Sequence, residues 1–326
     1  MRVVDLSICI VNWNTEAVLK DCLQSVLQKT QKISYEIFVV DNASKDRSVE
    51  MVKNHFPNAC LIVNQRNKGF AAANNQAIRL ARGRYILFLN PDTLIHEGAL
   101  DTMVQFMEKN PEAGAIGCKL LNANGSVQHS IRQSPSFGVA LLESTILGRI
   151  PLLRGRVGDF KTKGFFFDKV KEVDAVCGAA LLVRKDVLGE VGPMDEEYFM
   201  FIEELDLCLR IKAKGNKIYF IPDAQITHYG GESRNQNPEG LTMIGLNSLF
   251  RYFNKFEGPQ RTYLFKLFYK PLFLSGLIFD LVFDFLGVVK YSTVRRNPLK
   301  LKKKIIKIHG MLHFLKKDLS YFIFKL

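Results

Sequence analysis

Hydrophobic and polar positions along the first 95 residues switch between two periods. "LSICIVNW" (6–13) is a continuous apolar run that closes on polar residues, which predicts a strand buried on both faces. A helical pattern follows over about 15–28. "YEIFVVD" (35–41) predicts a second strand, and "SKDRSVEMVKNHF" (44–56) a helix with Ser44 as N-cap and Asp46 in its first turn. "ACLIVN" (59–64) is a third strand, "GFAAANNQAIRLARG" (69–83) a helix ended by Gly83, and "RYILFLN" (84–90) a fourth strand. This alternation predicts an α/β fold with a mainly parallel central sheet and helices on both faces. Ligands of such sheets bind in the crevice outside the carboxyl ends of the strands.

The second half is less regular. "GAIGCKLLN" (114–122) and "EVDAVCGAALLVR" (172–184) predict strands, separated by a loop-rich stretch at 123–171. A helix is expected from Phe201 within "GPMDEEYFMFIEELDLCLRIKAKG" (192–215), with Glu203, Glu204 and Asp206 in the first turn, where the helix dipole favours acids. "KIYFIPD" (217–223) is a final strand leading into "AQITHYGGES" (224–233).

Charge changes the picture at the C-terminal end. Residues 251–326 hold 16 Lys and Arg against 4 Asp and Glu, or +12, which leaves about +1 of the chain's +13 for the first 250. "PLFLSGLIFDLVFDFLGVV" (271–289) approaches the length of a bilayer span, but Asp280 and Asp284 interrupt it. With Gly276 and Gly287 they form a narrow polar stripe, the pattern of a helix lying in an interface or docked on protein. A further helix is expected with Asn297 as N-cap and Pro298 at its first position, and Gly310 is its expected break. Lysines alternating with Leu, Ile and Phe read as a membrane-surface element attracted to anionic lipid. The bland alternative is a helix covering the domain's own core. Regularly interleaved exposed aromatics are missing from the tail, so no nucleic-acid partner is expected. The six cysteines are scattered and mostly inside apolar runs, as reduced core residues of a cytoplasmic protein would be. No basic n-region followed by an apolar run opens the chain, so the expected location is cytoplasmic, peripheral at the inner face of the cell membrane. No G-x-G-x-x-G follows the first strand, which argues against a dinucleotide oxidoreductase.

Candidate chemistry sits at the strand ends: Asn12, Asp41-Asn42, Asn64 to Asn67, and Asn90-Pro91-Asp92. Each is a turn former, but four on one sheet edge suggest a polar ligand. A nucleoside diphosphate would need a divalent cation, for which Asp92 offers a carboxylate and His228 an imidazole. His228 packed against Tyr229 is the structural alternative. Transfer to a hydroxyl would need a general base, and "EELD" supplies Glu203, Glu204 and Asp206. On a helix Glu203 and Asp206 share a face, and Glu204 points elsewhere.

"DNASKDRS", "NKGFAAANNQA", "LFLNPDT", "MDEEYFMFIEELDLCLR" and "ITHYGGES" occur in the order seen in family 2 inverting glycosyltransferases, and the chain most resembles the rhamnosyltransferase-like branch. The resemblance covers about residues 5–235. It implies a glycosyltransferase A fold, with a catalytic domain over 1–240, divided into a nucleotide-sugar-binding half (1–95) and an acceptor-binding half (96–240). A helical, membrane-associating region would follow over 241–326. Carried over by position, Val11, Asn12, Asp41 and Asn42 would line the donor nucleotide, with Asn67, Gly69 and Asn74 along its phosphates or sugar. Asn90 and Asp92 stand where relatives carry D-x-D, making Asp92 and His228 ligands of Mg2+ or Mn2+. Glu204 falls at the position of the general base that deprotonates the acceptor hydroxyl, with Glu203 the rival. The implied reaction moves rhamnose from dTDP-rhamnose to a cell-surface polysaccharide or lipid-linked glycan, with a UDP-sugar as the alternative donor. Self-association is left open.

Overall fold

The buried strands end where the sequence places polar residues. In the computed structural model, which describes residues 4–150, 153, 167–231, 240–294 and 298–326, the chain runs in the order β1 (Leu6–Asn12), α1 (Glu16–Lys29), β2 (Tyr35–Asp41), α2 (Ser48–His55), β3 (Cys60–Val63), α3 (Phe70–Ile78), β4 (Tyr85–Leu89), β5 (Thr93–Ile95) and α4 (Ala99–Lys109). Next come β6 (Ala113–Leu121), β7 (Val127–Gln128), β8 (Ile131–Arg132), α5 (Phe137–Ser144), β9 (Lys171–Glu172), β10 (Ala175–Val176), β11 (Ala180–Arg184), α6 (Lys185–Val191), α7 (Glu203–Ala213) and β12 (Lys217–His228). The remainder is helical: α8 (Leu241–Phe256), α9 (Pro259–Val289), α10 (Pro298–His313) and α11 (Leu319–Phe324). Two compact units form, Met1–Ser134 with Phe166–Gln236, and Pro135–Phe165 with Asn237–Leu326. Pro135–Phe165 thus groups with the C-terminal helices.

The first unit is built on a sheet ordered β3-β2-β1-β4-β11-β6-β12-β5, with β7 added to β6 and β9 to β12. β1 pairs in parallel with β2 and β4, β2 with β3, and β6 with β12. β11 runs antiparallel to both β4 and β6, so the second half of the sheet is mixed. Successive residues of β1 serve opposite faces. Leu6, Ile8 and Ile10 join Leu19, Leu23 and Val26 of α1 and Met103, Val104 and Met107 of α4 in one core. Helices α3 and α7 bury Ala71, Ala73 and Ala77, and Leu207, Cys208 and Ile211. Every parallel strand therefore delivers its carboxyl end to one edge, and the reversed β11 begins there.

Several local expectations change. The "SKDRS" helix starts at Ser48, and Ser44 stays in the preceding loop, where its hydroxyl accepts from Asn14 N–H and Asn12 Nδ2. The run 172–184 is three short strands, because the chain must turn at Cys177-Gly178 to enter β11. Phe201 and Ile202 precede α7 with φ of 74° and 71°, so that helix starts at Glu203. β12 continues past Asp223 to His228, with a register shift against β6 between Ile221 and Gln225. Cys9, Cys22, Cys118 and Cys208 are buried, whereas Cys60 is exposed on β3.

In the second unit Phe253 of α8 and Phe265 of α9 pack against Phe137 of α5. The α10 helix passes through Gly310 without a break, and the backbone widens to π geometry at Phe314–Asp318, as it does at Lys290–Val294 after α9. The proposed N-cap Asn297, most of the 151–166 part of the loop-rich stretch and Glu232-Ser233 of "ITHYGGES" lie outside the described residues.

Candidate active site

The carboxyl ends of β1 and β2 are joined by their own polar side chains. Asn12 and Asp41 are register partners, so their side chains lie on the same face. Asn12 Nδ2 donates to Asp41 Oδ2 at 2.9 Å and to Ser44 Oγ at 3.1 Å, while Asn12 Oδ1 accepts from Thr15 at 2.6 Å. Asn42 Nδ2 donates to Asn67 Oδ1 and to the Gly69 carbonyl, and its Oδ1 accepts from Lys68 N–H and Asn64 Nδ2. Val11, Asn12, Asp41 and Asn42 are buried, and Asn42 bonds to both Asn67 and Gly69. Asn64 is a further member of the network, through Asn42 and Gln76. An open cleft lined by Asn64, Gln65, Arg66 and Lys68 adds two cations at the end of β3.

Asn74 makes no hydrogen bond to this group. It is fully buried in α3, with Nδ2 on the Phe70 carbonyl and Oδ1 lacking a partner among the described residues. Its neighbour Asn75, which sequence reasoning passed over, holds the Met194 backbone through both amide atoms and donates to Glu196. The segment 192–202 is fastened twice more. Arg210 donates to the carbonyls of Val191, Gly192 and Pro193, and Phe70 N–H donates to the Phe199 carbonyl at 2.7 Å. Gly69 permits that last approach, since a Cβ there would stand 2.4 Å from the Phe199 oxygen.

Asn14, Ala43, Phe201 and Ile202 are the described non-glycine residues with positive φ. All four lie in loops at this sheet edge or directly before Glu203. A β-branched Ile in that region is costly and persists only where the surroundings impose it. Phe201 and Ile202 are therefore held in place by the fastened segment, and they set the first residue of α7.

Three acids enter that first turn, with different fates. Asp206 is fully buried and ion-paired to Arg210 at 2.8 Å, which assigns it to holding the 191–193 carbonyl clamp. Glu203 is buried, and desolvation together with the charge of Glu204 raises its carboxyl well above the usual range. Glu204 is half-buried and packs on Gly178, where a Cβ would lie 3.4 Å from its own Cβ. Glu204 Oε2 has no hydrogen-bond partner among the described residues. A carboxylate oxygen with no protein donor is suited to receive a proton from a ligand. Cys177 beside it is raised by burial, with Arg132 at 3.9 Å opposing that effect and Glu204 adding to it.

Asp92 and His228 meet at the other end of the same edge. β5 sets His228 opposite Thr93, and Tyr229 N–H donates to the Asp92 carbonyl. His228 Nε2 lies 3.3 Å from Asp92 Oδ1 and 3.3 Å from Asn90 Nδ2. Gln128, also unforeseen, determines the tautomer. Its Nε2 donates to Asn122 Oδ1 and to the His228 carbonyl, which leaves Oε1 to accept from His228 Nδ1–H at 2.7 Å. Nε2 then carries the lone pair toward Asp92. One carboxylate and one imidazole suit a hard divalent cation that tolerates nitrogen, with phosphate and water supplying other positions. No group of three or more His, Cys, Asp or Glu converges for metal among the described residues.

A backbone hydrogen bond at the end of the β4–β11 ladder links the two ends of the site. Asn90 N–H donates to the Ala179 carbonyl at 3.0 Å, and the adjacent Gly178 packs against the Glu204 side chain. The reversed β11 thus sets the candidate base next to the strand that carries Asp92.

A family model described as glycosyl transferase family 2 matches residues 7–190. An N-acetylglucosaminyl-diphospho-decaprenol L-rhamnosyltransferase of Mycobacterium tuberculosis is 26% identical over 251 residues, 72% of this chain and 78% of the relative. Rhamnosyltransferase WbbL of Escherichia coli is 29% identical over 195 residues, 56% of this chain and 69% of its own. Among solved structures, GalNAc-T7 with UDP, GalNAc and Mn2+ superposes with a TM-score of 0.56 at 16% identity, over 77% of this chain. The chain spans about half the length of that structure (48%), and the likeness shows a shared glycosyltransferase A fold.

Proposed function

Since the chain belongs to glycosyl transferase family 2, we propose that it moves a sugar from a nucleoside diphosphate donor to a hydroxyl of a cell-surface polysaccharide or lipid-linked glycan, with inversion. Rhamnose from dTDP-rhamnose is the leading donor, a choice supported by two rhamnosyltransferase relatives. The enzyme works in the cytoplasm, peripheral to the inner face of the membrane that holds its acceptor.

The observation carrying this reading is the Glu204–Gly178–Ala179–Asn90 connection, which joins an unpartnered carboxylate oxygen to the Asp92–His228 pair. Asp92 and His228 would hold Mg2+ or Mn2+, which offsets the charge of the diphosphate. The strand-end network of Asn12, Asp41, Asn42 and Asn67 forms the floor under the nucleotide. Glu204 takes the proton of the acceptor hydroxyl as its oxygen bonds to the anomeric carbon. The bond from that carbon to the diphosphate oxygen breaks, and the nucleoside diphosphate leaves with the electron pair. Burial and the charge of Glu204 raise the Glu203 carboxyl, which favours its uncharged form beside the base. One displacement needs no covalent intermediate, consistent with the raised Cys177 thiol.

The test is turnover and thermal shift with dTDP- and UDP-sugars in Mg2+ or Mn2+. Asp92→Ala and Glu204→Gln are each expected to lower transfer by about 10²–10⁴-fold. Full activity in both variants refutes the site, and a preference for UDP-sugars refutes rhamnose alone.

A further inference from the structure

The second unit carries a long apolar helix whose acids all face protein. α9 has 31 residues, about 46 Å at 1.5 Å per residue, and is long and apolar enough to cross a membrane. Only 17% of its most apolar stretch is buried within the protein. At about 100° per residue, Leu267, Phe268, Val282, Phe283, Phe285 and Leu286 fall on one side, and each is more than half exposed. Asp280 and Asp284 fall on the opposite side.

That opposite side is an ion-pair seam. Arg149 forms a two-pronged pair with Asp280, through Nε at 2.8 Å and Nη2 at 2.6 Å. Lys307 of α10 reaches Asp280 at 3.1 Å and Asp284 at 2.9 Å, and Lys304 contacts Asp284. Gly276 lies against the Ile146 and Thr145 backbone, and Gly287 against the Lys304 side chain. The two acids that spoil a bilayer span are thus neutralised by the protein, on the side away from the exposed apolar stripe.

We propose that α9 is an in-plane membrane anchor, its exposed stripe seated among the acyl chains of an anionic bilayer and its Asp280–Asp284 seam facing the protein. This rests on the membrane association proposed above and specifies its mode. A transmembrane orientation would carry Arg149, Lys304 and Lys307 into the hydrocarbon along with their acids, whereas the in-plane orientation keeps them out. Charge selects the occupant. Residues 251–326 carry +12, and within them α10 presents exposed Lys302 and Lys303 beside exposed Ile305 and Ile306. A second copy seated on this face would set +12 against +12, while an anionic headgroup layer is complementary.

The experiment is flotation of the full chain with vesicles of phosphatidylcholine containing 30% phosphatidylglycerol, and with phosphatidylcholine alone. Binding is expected to the anionic vesicles, and Phe283→Glu with Leu286→Glu is expected to weaken it at least tenfold. Both positions are exposed, so the double variant keeps its fold. It also keeps donor-nucleotide thermal shifts, which separates failure of the anchor from failure of the enzyme assignment. Depth is read with Phe268→Trp and the mid-helix Ile278→Trp, each in a Trp13→Phe background, using lipids brominated at defined carbons. Equal, shallow quenching at both positions supports the anchor. A deep position for residue 278 with a shallow one for residue 268 would mean a span and overturn the proposal, as would a soluble dimer that ignores vesicles.

Discussion

Gln128 offers the most discriminating test of the active site, because its two amide atoms do different work. Oε1 accepts from His228 Nδ1 at 2.7 Å, and Nε2 donates to the His228 and Asn122 oxygens at 3.3 and 3.0 Å. Gln128→Leu removes both roles, and the imidazole loses the contact that keeps its Nε2 lone pair on the Asp92 side. Loss of such an outer partner typically costs 10–100-fold in metal affinity, about 1.4–2.7 kcal/mol. Gln128→Glu separates the roles. Its carboxylate still accepts from Nδ1–H, so metal affinity is expected to hold, but two carbonyl oxygens lose their donor and face a negative charge. Two lost hydrogen bonds of about 1 kcal/mol each give a stability loss of about 2 kcal/mol. Mn2+ binding in the presence of nucleoside diphosphate, read by electron paramagnetic resonance, reports the first quantity, and urea unfolding the second. If Gln128→Leu and Gln128→Glu weaken Mn2+ binding equally, the tautomer explanation is wrong.

Glu203→Gln is expected to stabilise the protein at neutral pH. A carboxyl raised in the folded state keeps its proton after the unfolded chain has lost its own, so wild-type stability falls as pH rises above about 4.5. The gain from Gln is about 1.4 kcal/mol per unit of elevation, and it vanishes at low pH; parallel denaturation curves from pH 4 to 8 would refute it. Gly69→Ala combines a φ of +86° with a 2.4 Å clash on Phe199 and loss of the Phe70 bond, a cost of about 2–4 kcal/mol by urea unfolding. An unchanged urea midpoint would show that the 192–202 segment is not fastened there. At Asp280 burial acts to raise the carboxyl, but hydrogen bonds from Arg149 and Lys307 outweigh it and hold the group low. Its stabilisation is present above the ordinary value of 3.8 and is lost as pH falls through the depressed one. Asp280→Asn should therefore flatten the acid limb of the unfolding curve, and an unaltered limb would count against the seam.

Much of this protein was legible without coordinates. Continuous apolar runs between helical patterns specify β1 to β4 and their parallel order, because period and run length act over a few residues. The same runs place Asn12, Asp41, Asn42 and Asn67 on one edge, and the acids of α7 in a helix's first turn. The apolar stripe of α9 with two acids on its far side is likewise a matter of helical period. What tertiary structure alone decided are pairings between distant segments. Gln128 and His228 are 100 residues apart, and Asn90 and His228 are 138 apart. The antiparallel insertion of β11 between β4 and β6 brings Gly178 and Glu204 to Asn90, and no local pattern announces it. Whether Asp206 serves as a base or binds Arg210, and whether Asp280 meets solvent or Arg149, depends on which loop folds back over it. Such contacts arise only once the chain has closed its long loops, so their energies are absent from any local window of sequence.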